Sequence, residues 1–495
     1  MLLLLVLLTS FAFLAYHLHW KRRNLPPGPM PIPFIGNLLS MAQPQPGYEC
    51  FRRWTKQYGD VYTFWLGSTP YVIISSYSRI KETFIKDGDT YVNKKAQPFQ
   101  HEFRGGEYGV IETNGQFWST HRRFALHQLR DFGLGKDVMQ QRILIEVQEI
   151  FETVDKALDT EVDVPNVLRR AVANVINQLI FGYRFDCEKE HEFLKMQELL
   201  EFQENAFKEF RVILEVFAPS VGKFLPGPNV NEILLKFKTD FFEFFEQRIE
   251  EHRSKIDFDA EDSQDYAESY LKEQKKREAD GDFDTFSNKQ FSNMCLDLWF
   301  AGLATTTTTL TWAIGYLLNY PNYLVKVQEE MDRVIGSDRL ITSGDKVDLP
   351  YTTAVINESQ RCANIVPINL FHETTRDTVI DKYSIPACTG VIAQISTIML
   401  DESVFPEPYK FNPDRFIDEN GKLKKVDELC PFSVGKRQCL GEGLARMELF
   451  LFLSNFLNRY EVKPSPTQGL PCIDKSKEFG VTPRKFDAVL KKRYS

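Results

Sequence analysis

The chain has 495 residues, 43% of them hydrophobic and 40 of them phenylalanine, which is ample for a large buried core. A formal charge of −8 makes no general case for nucleic acid, and none is expected as a partner. Eight scattered cysteines, with no C-x-x-C pair and no zinc-like spacing, argue against a disulfide framework and for reduced thiols in a cytosol-facing body.

Residues 1–20 are nearly all apolar, with His17 and His19 near the end, and Lys21, Arg22 and Arg23 follow at once. About 20 apolar residues is the length needed to cross a bilayer as a helix. A cleaved secretory signal carries its charge ahead of the apolar run; here the charge comes after. The segment therefore reads as an N-terminal transmembrane helix with the body on the cytoplasmic side. Residues 21–33 read as a basic and proline-rich linker, a stiff spacer that cannot be helical because proline lacks the N–H and fixes φ. The body, 34–495, contains no internal repeat.

A helix is expected over 48–58, then short strands over 60–66 and 71–75, rich in β-branched and aromatic residues and split by Gly-Ser-Thr-Pro. From 78 onward helices dominate, so the fold class is mainly α with a small β-rich region near the N-terminus. Trp118-x-x-x-Arg122 falls in an expected helix over 115–129. The i, i+4 spacing sets indole and guanidinium on one face, where they either share an anionic ligand or make a surface cation–π contact. Residues 257–284 are the most polar stretch and read as a solvated connection.

The longest helix is expected over 287–319, opened by a capping-box pattern at Ser287 and Gln290 and closed before Pro321. It contains Ala301-Gly302-Leu303-Ala304 and then threonine from Thr305 to Thr309. Each threonine costs about half a kcal/mol against alanine in a helix, so propensity does not account for the run. Its hydroxyls can bond back to carbonyls one turn earlier. Glu358 and Arg361, i and i+3 in a helix opened by Pro350, alone read as a surface salt bridge. His372 alone reads equally well as a core or a surface histidine.

The most informative stretch comes late: Phe432-Ser-Val-Gly-Lys-Arg-Gln-Cys-Leu-Gly441. It places Cys439 ahead of an expected helix over 440–455, whose N-terminus favours thiolate. Gly435 lets the backbone turn and approach a flat ligand, and Arg437 offers a fork suited to a carboxylate. A buried thiolate beside a carboxylate clamp suits an iron porphyrin, which needs an axial ligand and cations for its propionates.

Phe432, Gly435, Arg437, Cys439 and Gly441 resemble the haem-ligand signature of the cytochrome P-450 family, Phe-x-x-Gly-x-Arg-x-Cys-x-Gly, and Glu442, Leu444, Ala445 and Glu448 also look like that family. The likeness runs from about 25 to 493 with the motifs in the family's order, and 25–33 is similar to the proline-rich hinge of its microsomal members. It implies a single large haem-thiolate fold holding haem b, with Cys439 as the iron ligand and Trp118, Arg122, Arg437 and His372 at the propionates. Glu358, Arg361 and Arg415 would form a buried triad bracing the cysteine loop. Ala301 and Gly302 would make room over the cofactor, and Thr305 would be the catalytic residue, presenting its hydroxyl to oxygen. The chain departs from the family at Ala304, where a carboxylate is usual; leakier oxygen use is expected, with more reducing equivalents lost as peroxide.

The resemblance further implies a monooxygenase that inserts one atom of O2 into a lipophilic small molecule (xenobiotic, fatty acid or steroid-like). NADPH electrons would arrive through a flavoprotein reductase, with cytochrome b5 as a further partner. The reductase would dock on a basic patch of Lys436, Arg437, Arg122, Arg123 and Arg130. Residues 99–110, 205–217, 365–371 and 479–482 would line the substrate pocket, and 221–228 would dip into the membrane. The implied location is the endoplasmic reticulum membrane, catalytic domain facing the cytoplasm. Two alternatives stay open: a haem-thiolate isomerase or dehydratase needing no oxygen, and a non-catalytic haem or lipid binder.

Overall fold

The computed structural model describes residues 2–41, 48–133, 137–206, 209–227, 229–475 and 482–494. The 32-residue helix Asn288–Asn319 runs through the middle of the core, and every residue from 310 to 318 is buried. A helix with no polar face is stable only when surrounded by other elements. Ser287 caps it, its side chain accepting the Gln290 N–H at 3.3 Å. Gln290 does not complete the capping box. Its side chain instead grips Gly109, accepting the Gly109 N–H at 2.7 Å and donating to the Gly109 carbonyl at 3.2 Å.

Gly302 meets the helix Val164–Phe181: a Cβ there would lie 2.4 Å from Ile176 Cδ1. Its small size thus serves helix–helix contact. Ala301, one residue earlier, is exposed in the middle of an otherwise largely buried helix. The threonine run behaves as its chemistry suggests. Thr305 Oγ1 donates to the Ala301 carbonyl at 2.7 Å, Thr309 to Thr305 at 2.8 Å and Thr311 to Thr307 at 2.8 Å.

The structure is mainly helical, and its β-structure is not confined to the N-terminal stretch. The strands Val61–Leu66 and Thr69–Ile74 pair antiparallel, and the second recruits the distant strand Gly390–Ala393 in parallel. His372–Glu373 and then Asn93–Lys94 complete this five-stranded sheet, with Lys94 directly opposite His372. A three-stranded sheet joins Glu161–Asp163, Asp487–Lys492 and Tyr460–Pro464. Such pairings link segments hundreds of residues apart, so no local pattern announces them.

Residues 257–284 are not simply a solvated connection. They carry the helix Tyr266–Ala279, capped by Asp265, whose Tyr266, Ala267, Tyr270 and Leu271 form a narrow buried stripe in a polar sequence. Tyr270 stacks on Phe291 of the central helix at 4.2 Å.

The first helix, Leu2–Leu18, spans 17 residues, or about 26 Å at the usual rise, against about 30 Å of hydrocarbon. Among the described residues no helix is long and apolar enough to cross a membrane. The proline-rich segment behind it lies against the body and does not stand free: Thr63 donates its N–H to the Pro27 carbonyl at 2.9 Å and its hydroxyl to Pro26 at 2.8 Å.

Glu358, Arg361 and Arg415 come together as expected. Arg361 holds Glu358 in a two-point fork at 2.7 and 2.8 Å, and Arg415 Nε donates to Glu358 at 3.1 Å. Arg361 also donates to the carbonyls of Met399 and Pro408, so the triad ties the helix Pro350–Ala363 to the segment leading into the cysteine loop.

Candidate active site

Cys439 sits at the end of a closed loop, its N–H donating to the Phe432 carbonyl at 2.9 Å. Gly435 adopts φ +80°, and a Cβ there would lie 2.1 Å from the Phe84 carbonyl oxygen. The glycine is thus needed for the turn, as expected, and for packing on residue 84. The following helix is Glu442–Arg459. Burial pushes the Cys439 thiol up, while the N–H groups of Gly441 and Glu442 and the Arg122 charge pull it down. Cys439 nonetheless has accessible surface. A desolvated yet reachable sulfur at a helix N-terminus becomes thiolate most readily when a metal binds it.

Beside the sulfur lies a group of cations. The Arg437 guanidinium stacks 3.7 Å over the Trp118 ring and donates to the carbonyls of Val92 and Thr113 at 2.7 and 2.6 Å. Arg122 lies 5.8 Å from the same ring and donates to the Gln438 carbonyl at 2.5 Å, which brings it next to Cys439. Burial and the Arg122 charge lower Arg437 to about 9. The expected residues Trp118, Arg122, Arg437 and Cys439 are therefore one constellation.

His372 joins this group by an indirect route. Its Nδ1 faces the Tyr91 carbonyl at 2.7 Å and its Nε2 faces the Lys94 amine at 3.1 Å. Burial, then the Lys94 charge, hold the ring well below its usual range, so it is neutral and accepts from Lys94. Lys94, which the sequence reading missed, is the charge presented here. It is 4% exposed, and burial, reinforced by Arg437, lowers it to about 7. Its only local signal was the Lys94-Lys95 pair at the end of the two-residue strand.

Lys94, Arg122 and Arg437 are poorly compensated. Glu112 lies in their field, but burial raises its own carboxyl. The indole Nε1 of Trp118 is buried and has no hydrogen-bond partner among the described residues. Crowded cations, an orphaned N–H and a reachable thiol fit a flat cofactor carrying two carboxylates and a thiophilic metal. Haem meets both conditions.

On the central helix Ala301 is exposed and Thr305 partly so. The Thr305 hydroxyl hydrogen is committed to the Ala301 carbonyl, which leaves Oγ1 as an acceptor for a further partner. The segment 104–113 is clamped above by Asp297, another residue not singled out. One carboxylate oxygen accepts the N–H groups of Val110 and Ile111 at 2.7 and 3.0 Å, and the other takes Arg104 at 2.6 Å. Phe371 packs on Tyr71 at 4.9 Å and edge-on to Phe217 at 6.3 Å, an aromatic wall that joins two of the expected lining segments. The expected segment 479–482 falls, up to 481, outside the described residues, as do 207, 208 and 228. The expected basic patch is reduced: Arg437 and Arg122 turn inward, Lys436 pairs with Asp89, and Arg123 and Arg130 are exposed.

Comparison with known proteins agrees with this chemistry. The family model described as Cytochrome P450 matches residues 26–490. Cytochrome P450 2H2 of Gallus gallus is 36% identical over 463 residues, covering 93% of this chain and 92% of that one. Cytochrome P450 2C23 of Rattus norvegicus is 36% identical over 448 residues, 89% of this chain and 88% of its own length. Cytochrome P450 2B19 of Mus musculus is 35% identical over 496 residues, 98% of each chain.

Proposed function

The chain belongs to the cytochrome P450 family and is an oxidoreductase whose cofactor is haem b; from that premise we propose that it oxygenates a lipophilic small molecule at the space between Cys439 and Ala301. The observation that carries this reading is the reachable Cys439 sulfur beside three under-compensated cations. When bound, haem supplies oxygen activation, helped by electron density from a thiolate ligand.

The protein's own residues prepare that chemistry. Cys439 binds the iron, held by its loop and by the N–H groups of Gly441 and Glu442. Arg437, Arg122, Lys94 and the Trp118 N–H take the two carboxylates, and His372 fixes the Lys94 amine in place. Thr305 offers Oγ1 as an acceptor on the distal side. The aromatic wall of Phe371, Tyr71 and Phe217 excludes water and favours an apolar substrate such as a xenobiotic, fatty acid or steroid-like molecule.

Electrons come from NADPH through a flavoprotein reductase that docks near the exposed Arg123 and Arg130, with cytochrome b5 as a further partner. The site of action is the endoplasmic reticulum membrane, with the body in the cytoplasm. The exposed apolar side chains of the first helix (Leu4, Leu5, Leu8 and Phe11) and the basic run from Lys21 to Arg23 support that placement. Phe224, 77% exposed, gives the surface around 221–227 an apolar contact with lipid.

Reconstitution with a reductase and a panel of lipophilic compounds tests the proposal. Product must require both NADPH and O2 and carry one atom of labelled oxygen. Turnover that proceeds without O2 would favour the isomerase reading, and haem binding without turnover of any compound the non-catalytic one.

A further inference from the structure

Below the threonine run lies an acid with no role in the site just described. Glu448, on the helix Glu442–Arg459, is 1% exposed. Its Oε2 accepts the Thr306 hydroxyl at 3.3 Å, and its Oε1 is buried without a partner. The elements packed on its helix bring their own charges, the acids Glu146, Asp297, Glu330, Asp345, Glu358 and Glu461 and the cations Arg142, Lys289, Lys326, Arg333, Lys346, Arg361 and Lys463 among them. None of these contributes to its titration. Burial alone raises it to about 8, with only the Thr306 bond opposing. A buried carboxyl facing no cation is most stable as the neutral acid, which has a proton to give.

Thr306 is covalently next to Thr305, which is partly exposed and whose hydroxyl bond to Ala301 lies on the accessible part of the helix. Ala304, at the position where an acid would otherwise serve, carries no proton. We propose that Glu448 is the proton-holding residue of the distal side, passing a proton through Thr306 to water beside Thr305 in place of the side chain that Ala304 lacks.

The relay balances. With Glu448 protonated, the bond reverses: the carboxyl O–H donates to Thr306 Oγ1, and the Thr306 hydroxyl turns its own hydrogen toward water in the space. Transfer moves one proton from the carboxyl to Thr306 Oγ1 as Thr306 releases one to that water, leaving Glu448 as carboxylate. Solvent protons returning along the same path restore the acid. Glu448 acts through Thr306 and is a positioning residue rather than a catalytic one.

The inference rests on the monooxygenase reading, so its test begins with a measurement that needs no turnover. Infrared titration of the resting holoprotein should show a protonated carboxyl band at pH 7 that fades as pH rises through about 8. The band should be absent in Glu448→Gln, a variant that mimics the neutral acid and so preserves the fold. In turnover, Glu448→Gln and Thr306→Val should each raise peroxide released per NADPH several-fold and flatten the alkaline limb of the pH profile. Their reduced carbon-monoxide spectra should match the wild type, and Glu448→Asp should restore part of the coupling. The proposal is overturned if the wild type lacks the band at pH 7, or if both variants keep wild-type coupling and pH profile with intact spectra. A wild type without a thiolate-type spectrum would overturn the monooxygenase reading itself, an outcome distinct from the other two.

Discussion

The Lys94 amine lies 3.1 Å from Nε2 of His372, and both side chains are buried. The pair arises because two-residue strands from opposite ends of the chain are registered one against the other. A buried ammonium hydrogen-bonded to a neutral imidazole, near two arginines and a single carboxyl, is destabilising until a further anion arrives.

That gives a dependence on pH with a definite sign. In the cofactor-free fold burial holds Lys94 at about 7, against an ordinary value of 10.5 in the unfolded chain. Between those values the unfolded chain binds more protons, so stability of the apoprotein should rise as pH increases from about 7 to 10. A bound dianion raises Lys94, so haem binding should take up a proton near pH 8 and weaken as pH rises further. Lys94→Met should abolish both effects and lower haem affinity about tenfold or more, as expected for one charge-assisted contact. Calorimetric proton uptake and haem transfer to an acceptor protein measure these.

Gly302→Ala adds a methyl that would sit 2.4 Å from Ile176 Cδ1. Alanine gains about 1 kcal/mol of helix propensity, and overpacking costs about 1–3 kcal/mol. The net expectation is a loss of stability of about 1 kcal/mol, partly relieved when Ile176→Val removes Cδ1, the nearer of the two clashing carbons. A double-mutant cycle in denaturant should show coupling between the two sites; additive effects would mean that the helices do not touch there.

Much of the site was readable because its residues are local to one motif. Phe432, Gly435, Arg437 and Cys439 lie within eight positions, and Glu358 and Arg361 within one helical turn. Lys94 and Asp297 were not readable. Each acts on a segment brought to it by the fold: Lys94 through strand pairing across 278 residues, Asp297 through a loop 186 residues earlier. The protein neighbours of Gly302 and Gly435, Ile176 and Phe84, were not readable for the same reason, since a glycine's neighbour is a fact of packing. The helix Tyr266–Ala279 was hidden because a stripe of four apolar residues was outvoted by the polar ones around it.

Glu358→Gln should be among the most damaging single changes outside the cofactor site. It leaves Arg361, fully buried, and Arg415, nearly so, without their carboxylate charge. Breaking such a buried pair costs roughly 3–5 kcal/mol. The expected result is little folded, haem-bearing protein. Normal yield and an unchanged denaturant midpoint would show that the triad does not brace the loop.

Asp297→Asn keeps an acceptor for the loop but loses the charge that holds Arg104. The amide protons of Val110 and Ile111 should exchange faster, with a loss of roughly 2–3 kcal/mol of local protection. Substrate-induced spin shifts should weaken while the reduced carbon-monoxide spectrum stays unchanged. Hydrogen exchange resolved to residues 104–113 checks this directly.

The account depends most on the bond between Cys439 and iron. The reduced carbon-monoxide complex of the purified wild type should show the strongly red-shifted Soret band of thiolate-bound haem, and Cys439→Ala should lose that band. If Cys439→Ala keeps the same band, or the wild type never shows it, the sulfur is not the ligand and the proposed chemistry does not occur at this site.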